Sequence, residues 1–393
     1  MDPRDNPYSP GAGIRPPELA GREQDIETFE ILRARARRGR SNQSIVMHGL
    51  RGVGKTVLLN ELAAAARVDN WIVGKVEADL GSARTPFRNQ VAQSLNAALR
   101  QAQGKSPKAG RLQAALRTFK SFSLKASPDG SLAVGIELDA QLGRGDTGAL
   151  RADLTDLAID LGDAALELDT GVALFIDEMQ HLTKDELAAV CQACHEAGQQ
   201  QKPLYVVGAG LPNLPGVLSE ARSYSERLFE YRRVDRLSES AALRALVKPA
   251  EEQGAIWNDD AAALVLDASK GYPYFLQEFG KASWDEAQTS LISLTDASVA
   301  IDVGKARLDA GFFAARWERA TPAERDYLAA MAADDDGPSS SGVIARRLNK
   351  EQSQLGPARS KLISKGLVYA PEHGLIAYTV PGMAEFVRRQ PTA

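Results

Sequence analysis

Residues 44–59 read Ser-Ile-Val-Met-His-Gly-Leu-Arg-Gly-Val-Gly-Lys-Thr-Val-Leu-Leu: an apolar run, a glycine-rich turn and the start of an alanine-rich helix, Thr56 to Arg67. The spacing from Gly49 to Gly54, Lys55 and Thr56 fits G-x-x-x-x-G-K-[ST], with a strand before it and a helix after it. Glycines allow backbone N–H groups to converge on phosphate oxygens, and the helix N-terminus adds a positive field. In such a loop Lys55 reaches the β- and γ-phosphates and the Thr56 hydroxyl ligates Mg²⁺. The main chain from Gly49 through Leu50, Arg51, Gly52, Val53 and Gly54 to Val57 forms the cradle. An ordinary glycine-rich βα turn gives no reason for Lys-Thr to follow.

Further along, Val172-Ala-Leu-Phe-Ile176 is a continuous apolar run, the pattern of a strand buried on both faces. It ends at Asp177-Glu178, so its tip delivers a carboxylate to Mg²⁺ (Asp177) beside a general base for the attacking water (Glu178). Trp71 to Val76, Leu204 to Val207 and Glu230 to Val234 supply the remaining strands between helical stretches. That alternation predicts an α/β fold, a parallel doubly wound sheet with an αβα core over 18–237. Phe122, Leu124 and Ala126 alternate with polar residues ahead of Pro128-Asp129-Gly130, and Leu132 to Leu138 alternate again, which predicts a β-hairpin insertion near 120–140. Residues 1–17 read as a disordered leader, 238–332 as a helical lid, and 338–393 as helix, helix and a small β wing, a winged helix.

These residues carry a family resemblance. Gly49 to Thr56 resembles a Walker A motif and Phe175 to Glu178 a Walker B, with a strand between them as in additional-strand P-loop ATPases. Glu18-Leu-Ala-Gly-Arg-Glu23 is similar to the "GRE" box of AAA+ and STAND ATPases of the Orc1/Cdc6-like and archaeal group, a segment that packs near the adenine and includes Arg22. The resemblance implies ATP and Mg²⁺ as ligands and a slow, partner-stimulated ATPase acting as a switch. It implies a γ-phosphate sensor after Leu204 to Val207, with Asn213 the candidate and a turn-forming Asn the alternative. An arginine finger is implied before the last strand, with Arg227 ahead of Arg222 and an ordinary helix-surface arginine as the other reading. Gly271-Tyr272-Pro273-Tyr274 resembles the "G-h-P" turn of STAND relatives, which sets Pro273 near the nucleotide and stands in place of a sensor-2 arginine.

Composition narrows the partners. A net charge of −4 excludes a globally basic nucleic-acid binder. Yet residues 340–393 hold eight Lys/Arg (346, 347, 350, 359, 361, 365, 388, 389) against three Asp/Glu. In a winged helix, Arg359, Lys361 and Lys365 would face the major groove, so an initiator-like output on duplex DNA is the first expectation. A STAND-like output, in which the module binds protein partners or the chain associates with itself, is the alternative. No run of about 18 apolar residues appears and none precedes the first motif, so a cytoplasmic protein without membrane contact is expected. Cys191-Gln-Ala-Cys194-His195 matches a haem-attachment string, but Leu187, Val190, Cys191 and Cys194 share one helical face and read as buried hydrophobes, not haem ligands.

Overall fold

The computed structural model describes residues 1–78 and 85–391. Five parallel strands form the core sheet: β1 (Ser44–His48), β2 (Ile72–Glu77), β3 (Val172–Asp177), β4 (Leu204–Gly210) and β5 (Phe229–Arg233), in the order β2-β3-β4-β1-β5. Every residue of β3 is buried, as its apolar run requires for a central strand covered on both faces. One face carries α1 (Glu23–Arg37) and α2 (Lys55–Val68), where Phe29, Trp71, Phe175 and Tyr205 pack together. The other carries α3 (Phe87–Lys105), α4 (Gly110–Ala126), α5 (Leu150–Glu167), α6 (Lys184–Gln199) and α7 (Leu214–Ala221), ahead of the single turn α8 (Ser225–Leu228). Cys191 and Cys194 are free and buried on α6, with burial pushing both thiols up, to about 11 and about 12.

The hairpin expected near 120–140 is not there. Residues 110–126 are one helix whose Leu112, Ala115, Leu116, Phe119 and Phe122 recur at helical spacing and are all buried. The alternation at Phe122, Leu124 and Ala126 falls in its last turn. Pro128-Asp129-Gly130 does form a turn, with Gly130 at φ 76°, but it leads into a short 3₁₀ turn, Ser131–Ala133. The helix at the N-terminal side begins at Glu23, after a turn at Ala20 and Gly21.

The lid comprises α9 (Glu239–Glu252), α10 (Asp259–Ser269), α11 (Pro273–Glu286) and α12 (Leu294–Arg307), with the two-residue strands β6 (Ile256–Trp257) and β7 (Leu291–Ile292) paired in parallel. A π-helical turn, Leu308–Phe313, joins α12 to α13 (Ala314–Trp317). The leader is ordered against this lid. Tyr8 is 3% exposed; its hydroxyl donates to the Leu246 carbonyl and accepts from Trp257 Nε1 at 3.0 Å. Asn6 Nδ2 donates to Lys281 O (3.0 Å), and Trp284 Nε1 to Asp2 O (2.9 Å). One buried aromatic with a satisfied hydroxyl outweighs the Pro/Gly composition that suggested disorder.

The C-terminal part contains α14 (Pro322–Ala332), β8 (Ser339–Ser340), α15 (Ser341–Arg347), α16 (Gln352–Ser364), β9 (Val368–Tyr369), β10 (Leu375–Tyr378) and α17 (Met383–Arg388). Its antiparallel sheet runs β8-β10-β9, an arrangement consistent with a winged helix. It shares one apolar core with the lid, through Phe313, Tyr327, Ile344, Leu362, Tyr378 and Phe386.

Candidate functional site

At the C-terminal end of β1 the chain turns through Gly49 to Gly54 into α2. Gly52 (φ 84°) and Gly54 (φ 92°) adopt left-handed conformations that side chains resist, and a Cβ on Gly49 would lie 1.9 Å from Val234 O. The glycines are therefore demanded by the backbone path itself. Lys55 is buried at the start of α2, and its Nζ donates to Gly49 O (2.8 Å) and Leu50 O (2.7 Å). Burial lowers its pKa to about 8, against the opposing pull of Glu178 and Asp177.

Asp177 ends β3, 5% exposed, and its Oδ1 accepts the Glu178 N–H at 2.9 Å. Glu178 sits in the left-handed region (φ 49°), a conformation non-glycine residues hold only where the surroundings enforce it. Its Oε2 accepts from Arg51 Nη2 (3.4 Å) and from Gln180 Nε2. Burial alone would raise the Glu178 pKa, but the Arg51 guanidinium, the Gln180 amide, His181 and Lys55 hold it below its ordinary value.

These groups share one cavity of about 490 Å³. At its polar end stand Arg51 to Thr56, Asp177 and Glu178; Leu237, Ala245, Pro273, Leu276 and Gln277 line the rest, under leader residues 9–14 and 16. Val57 and Arg22 also line it. Arg22, however, gives its Nη2 to Val53 O (2.8 Å) and Asp235 O (2.7 Å), so its guanidinium ties the loop to the exit of β5. Gly49 and Leu50 lie beneath the loop and do not line the cavity. A second cavity of about the same volume lies by the opposite end of the sheet, bounded by Arg40, His195, Tyr224 and Arg227.

Asn213 is not brought to the cavity. The turn Leu211-Pro212 carries it past the tip of β4 to the N-cap of α7, where its Oδ1 is buried without a partner. The β4 tip is reached instead by Gln180, whose Oε1 accepts the Leu211 N–H at 3.0 Å. Arg227 is exposed on α8, just before Phe229, which pairs with Ser44 at the start of β1. It thus lies a strand length, roughly 16 Å, from this chain's own glycine loop. Arg222 has a buried Nε without a partner and does not reach the cavity.

Two contributors escaped the sequence reading. Arg316, on α13, lines the cavity with its guanidinium 4.0 Å from the Phe312 ring, which stacks on Tyr274. It forms no ion pair with a carboxylate among the described residues, and burial, then the Arg51 charge, lowers its pKa to about 10. No motif spacing marks it; only the π-helical turn, a distortion common at functional sites, precedes it. The second is Gln180, whose position two residues past Glu178 carries no signal of its own. The C-terminal module also touches the loop: the Arg51 N–H donates to Thr379 O at 2.9 Å, and a Cβ on Gly366 would lie 3.2 Å from Arg51 Nη2.

The profile of the AAA ATPase domain matches residues 18–207, and a domain of unknown function, DUF8462, matches residues 310–387, which include Arg316. No curated protein matches the chain. A Walker-type ATPase of Pyrococcus abyssi is similar over 95% of this chain and 97% of its own, at 16% identity and a TM-score of 0.57. Cdc6p from Pyrobaculum aerophilum aligns over 99% and 97% (14% identity, TM-score 0.46), and the RuvB Holliday junction branch migration motor of Thermotoga maritima over 97% and 100% (16%, 0.45). The fold is that of an AAA+ P-loop ATPase. Residues 18–207 of this chain, a little under half of it, are the part that matches the AAA ATPase domain.

Proposed function

We propose that the chain binds ATP with Mg²⁺, hydrolyses it, and uses the nucleotide state to set the position of its C-terminal module. The observation that carries this reading is the convergence of the glycine loop, the Asp177–Glu178 pair and Arg316 on one cavity. Lys55 and Arg316 neutralise the β- and γ-phosphates, and Glu178 takes a proton from the attacking water. The oxygen donors suit Mg²⁺: Thr56 offers a hydroxyl at the start of α2, and Asp177 keeps Oδ2 without a partner among the described residues. Those two residues would hold the ion, which would neutralise phosphate charge when bound. Arg227 is exposed as a finger offered to a second copy must be; Arg22 and Pro273 frame the nucleobase end. Asn213 is not part of this reading.

For the output, the Arg51 N–H to Thr379 O contact docks the module on the ATPase core, while the module's own cations pair mostly within residues 309–389. Arg347, Lys365, Arg388 and Arg389 pair with Asp334, Glu324, Asp335 and Asp309, and Arg359 donates to Leu375 O. Of the eight Lys/Arg of residues 340–393, Arg346, Lys350 and Lys361 alone are exposed and without such partners among the described residues. They define the surface on which a DNA output rests. Its rival, a protein partner acting on the docked module, draws on the Arg51–Thr379 contact.

The test is ATP turnover by the purified chain, with and without duplex DNA, beside Lys55→Ala, Glu178→Gln and Arg316→Ala. Turnover by wild type, its loss in the first two variants and a lowered kcat in the third are expected. Stimulation by DNA selects the DNA output. Undiminished turnover in Glu178→Gln would remove the catalytic assignment.

A further inference from the structure

Glu178 is an unusual place to put a catalytic carboxylate. Its backbone is left-handed, its neighbours are buried, and a glutamate side chain has three rotatable bonds with which to leave a working geometry. What restrains it is visible from both sides. Arg51 and Gln180 both donate to Oε2, which leaves Oε1 for a proton to be accepted. Arg51 belongs to the glycine loop, exposed to whatever the loop binds, and its contact is long, at 3.4 Å. Gln180 is anchored differently. Its amide oxygen accepts the Leu211 N–H at the tip of β4, which fixes which end of the amide faces Glu178. The fit around that oxygen is close: a Cβ added to Gly210 would lie 2.4 Å from Gln180 Oε1 and 2.7 Å from Leu214 Cδ2.

We infer that Gln180 is the positioning residue for the general base, holding the Glu178 carboxylate at Oε2 while β4 holds Gln180. The inference rests on the hydrolytic reading above and deepens it. A side chain that accepts with one end and donates with the other transmits the position of the β4 tip to the carboxylate. Shifts on the order of 1 Å at a reacting group cost about 10²-fold in rate.

The experiment compares wild type, Gln180→Ala, Gln180→Glu and Glu178→Gln for kcat, KM for ATP and thermal stability. Gln180→Glu retains an acceptor for the Leu211 N–H but replaces the donor with a second carboxylate. It therefore separates a merely structural tie from a positioning one. Both Gln180 variants are expected to lose on the order of 10²-fold in kcat with KM within about twofold. A wild-type kcat in Gln180→Glu overturns the inference, as does a loss confined to thermal stability. Absence of turnover in wild type and Glu178→Gln alike would instead overturn the hydrolytic reading and the positioning role with it.

Discussion

Lys55 is held in its own loop by two carbonyl oxygens, and burial lowers its pKa from 10.5 to about 8. The unfolded chain therefore binds more protons than the folded one between these values, so this group makes stability rise as pH rises from about 8 to 10.5. Below pH 8 the cost of burying the charge is fully present. Lys55→Met removes that cost and leaves two carbonyls to find other partners. The variant is expected to be about 1–3 kcal/mol more stable than wild type at pH 7 in nucleotide-free buffer, with the advantage shrinking by pH 9.5. Denaturant titrations at both pH values measure it; a wild type more stable than the variant at pH 7 would contradict the account. At this same scale the half-buried Arg316 is a second cation of the cavity whose pKa burial lowers.

At the scale of elements, the tips of β1, β3 and β4 are where backbone geometry restricts side-chain choice most. Gly210 ends β4 against Gln180 and Leu214. Gly210→Ala should push the Gln180 amide aside without touching Glu178 directly. Its kcat loss should match that of Gln180→Ala, and the double variant should be no worse than either single one. Additive losses would show that the glycine serves the fold by another route. Element boundaries also show where reading the chain stops. The alternation of three residues at the end of α4 suggested a strand. The buried stripe from Leu112 to Phe122 recurs at helical spacing over several turns and sets the helix. Tyr8 teaches the same lesson in reverse, because a single aromatic with two hydrogen-bonding partners orders a leader whose composition favours disorder.

At the scale of the molecule, the lid and the C-terminal module share a core, and the module reaches back to the glycine loop through Thr379. The positive excess of residues 340–393 is largely satisfied within the chain, which limits what DNA can gain from it. With three unpaired cations, Arg346, Lys350 and Lys361, the slope of log K against log salt for duplex binding is expected to be no steeper than about −3. Charge reversal at Lys361 should weaken such binding, whereas Arg347→Ala should lower stability and leave the slope alone. A slope near −7 would mean that the internal ion pairs open on the nucleic acid.

The phosphate loop, the β3 strand with its terminal carboxylates, the parallel sheet and the lid were all legible in residues close together in the chain. Each depends on local spacing: glycines where the backbone must turn, a continuous apolar run where both faces are covered. Arg316 and Gln180 were not legible, nor was the exclusion of Asn213. Their placement depends on where α13, the β4 tip and the Leu211-Pro212 turn come to rest. The fate of the C-terminal charges was decided in the same way, since an arginine reads identically whether it meets solvent, DNA or an aspartate dozens of residues away. Sequence by itself determined which local geometries the backbone adopts and which chemistry it offers. Tertiary structure alone decided which side chains share a cavity, because burial and pairing follow from contacts between residues far apart in the chain.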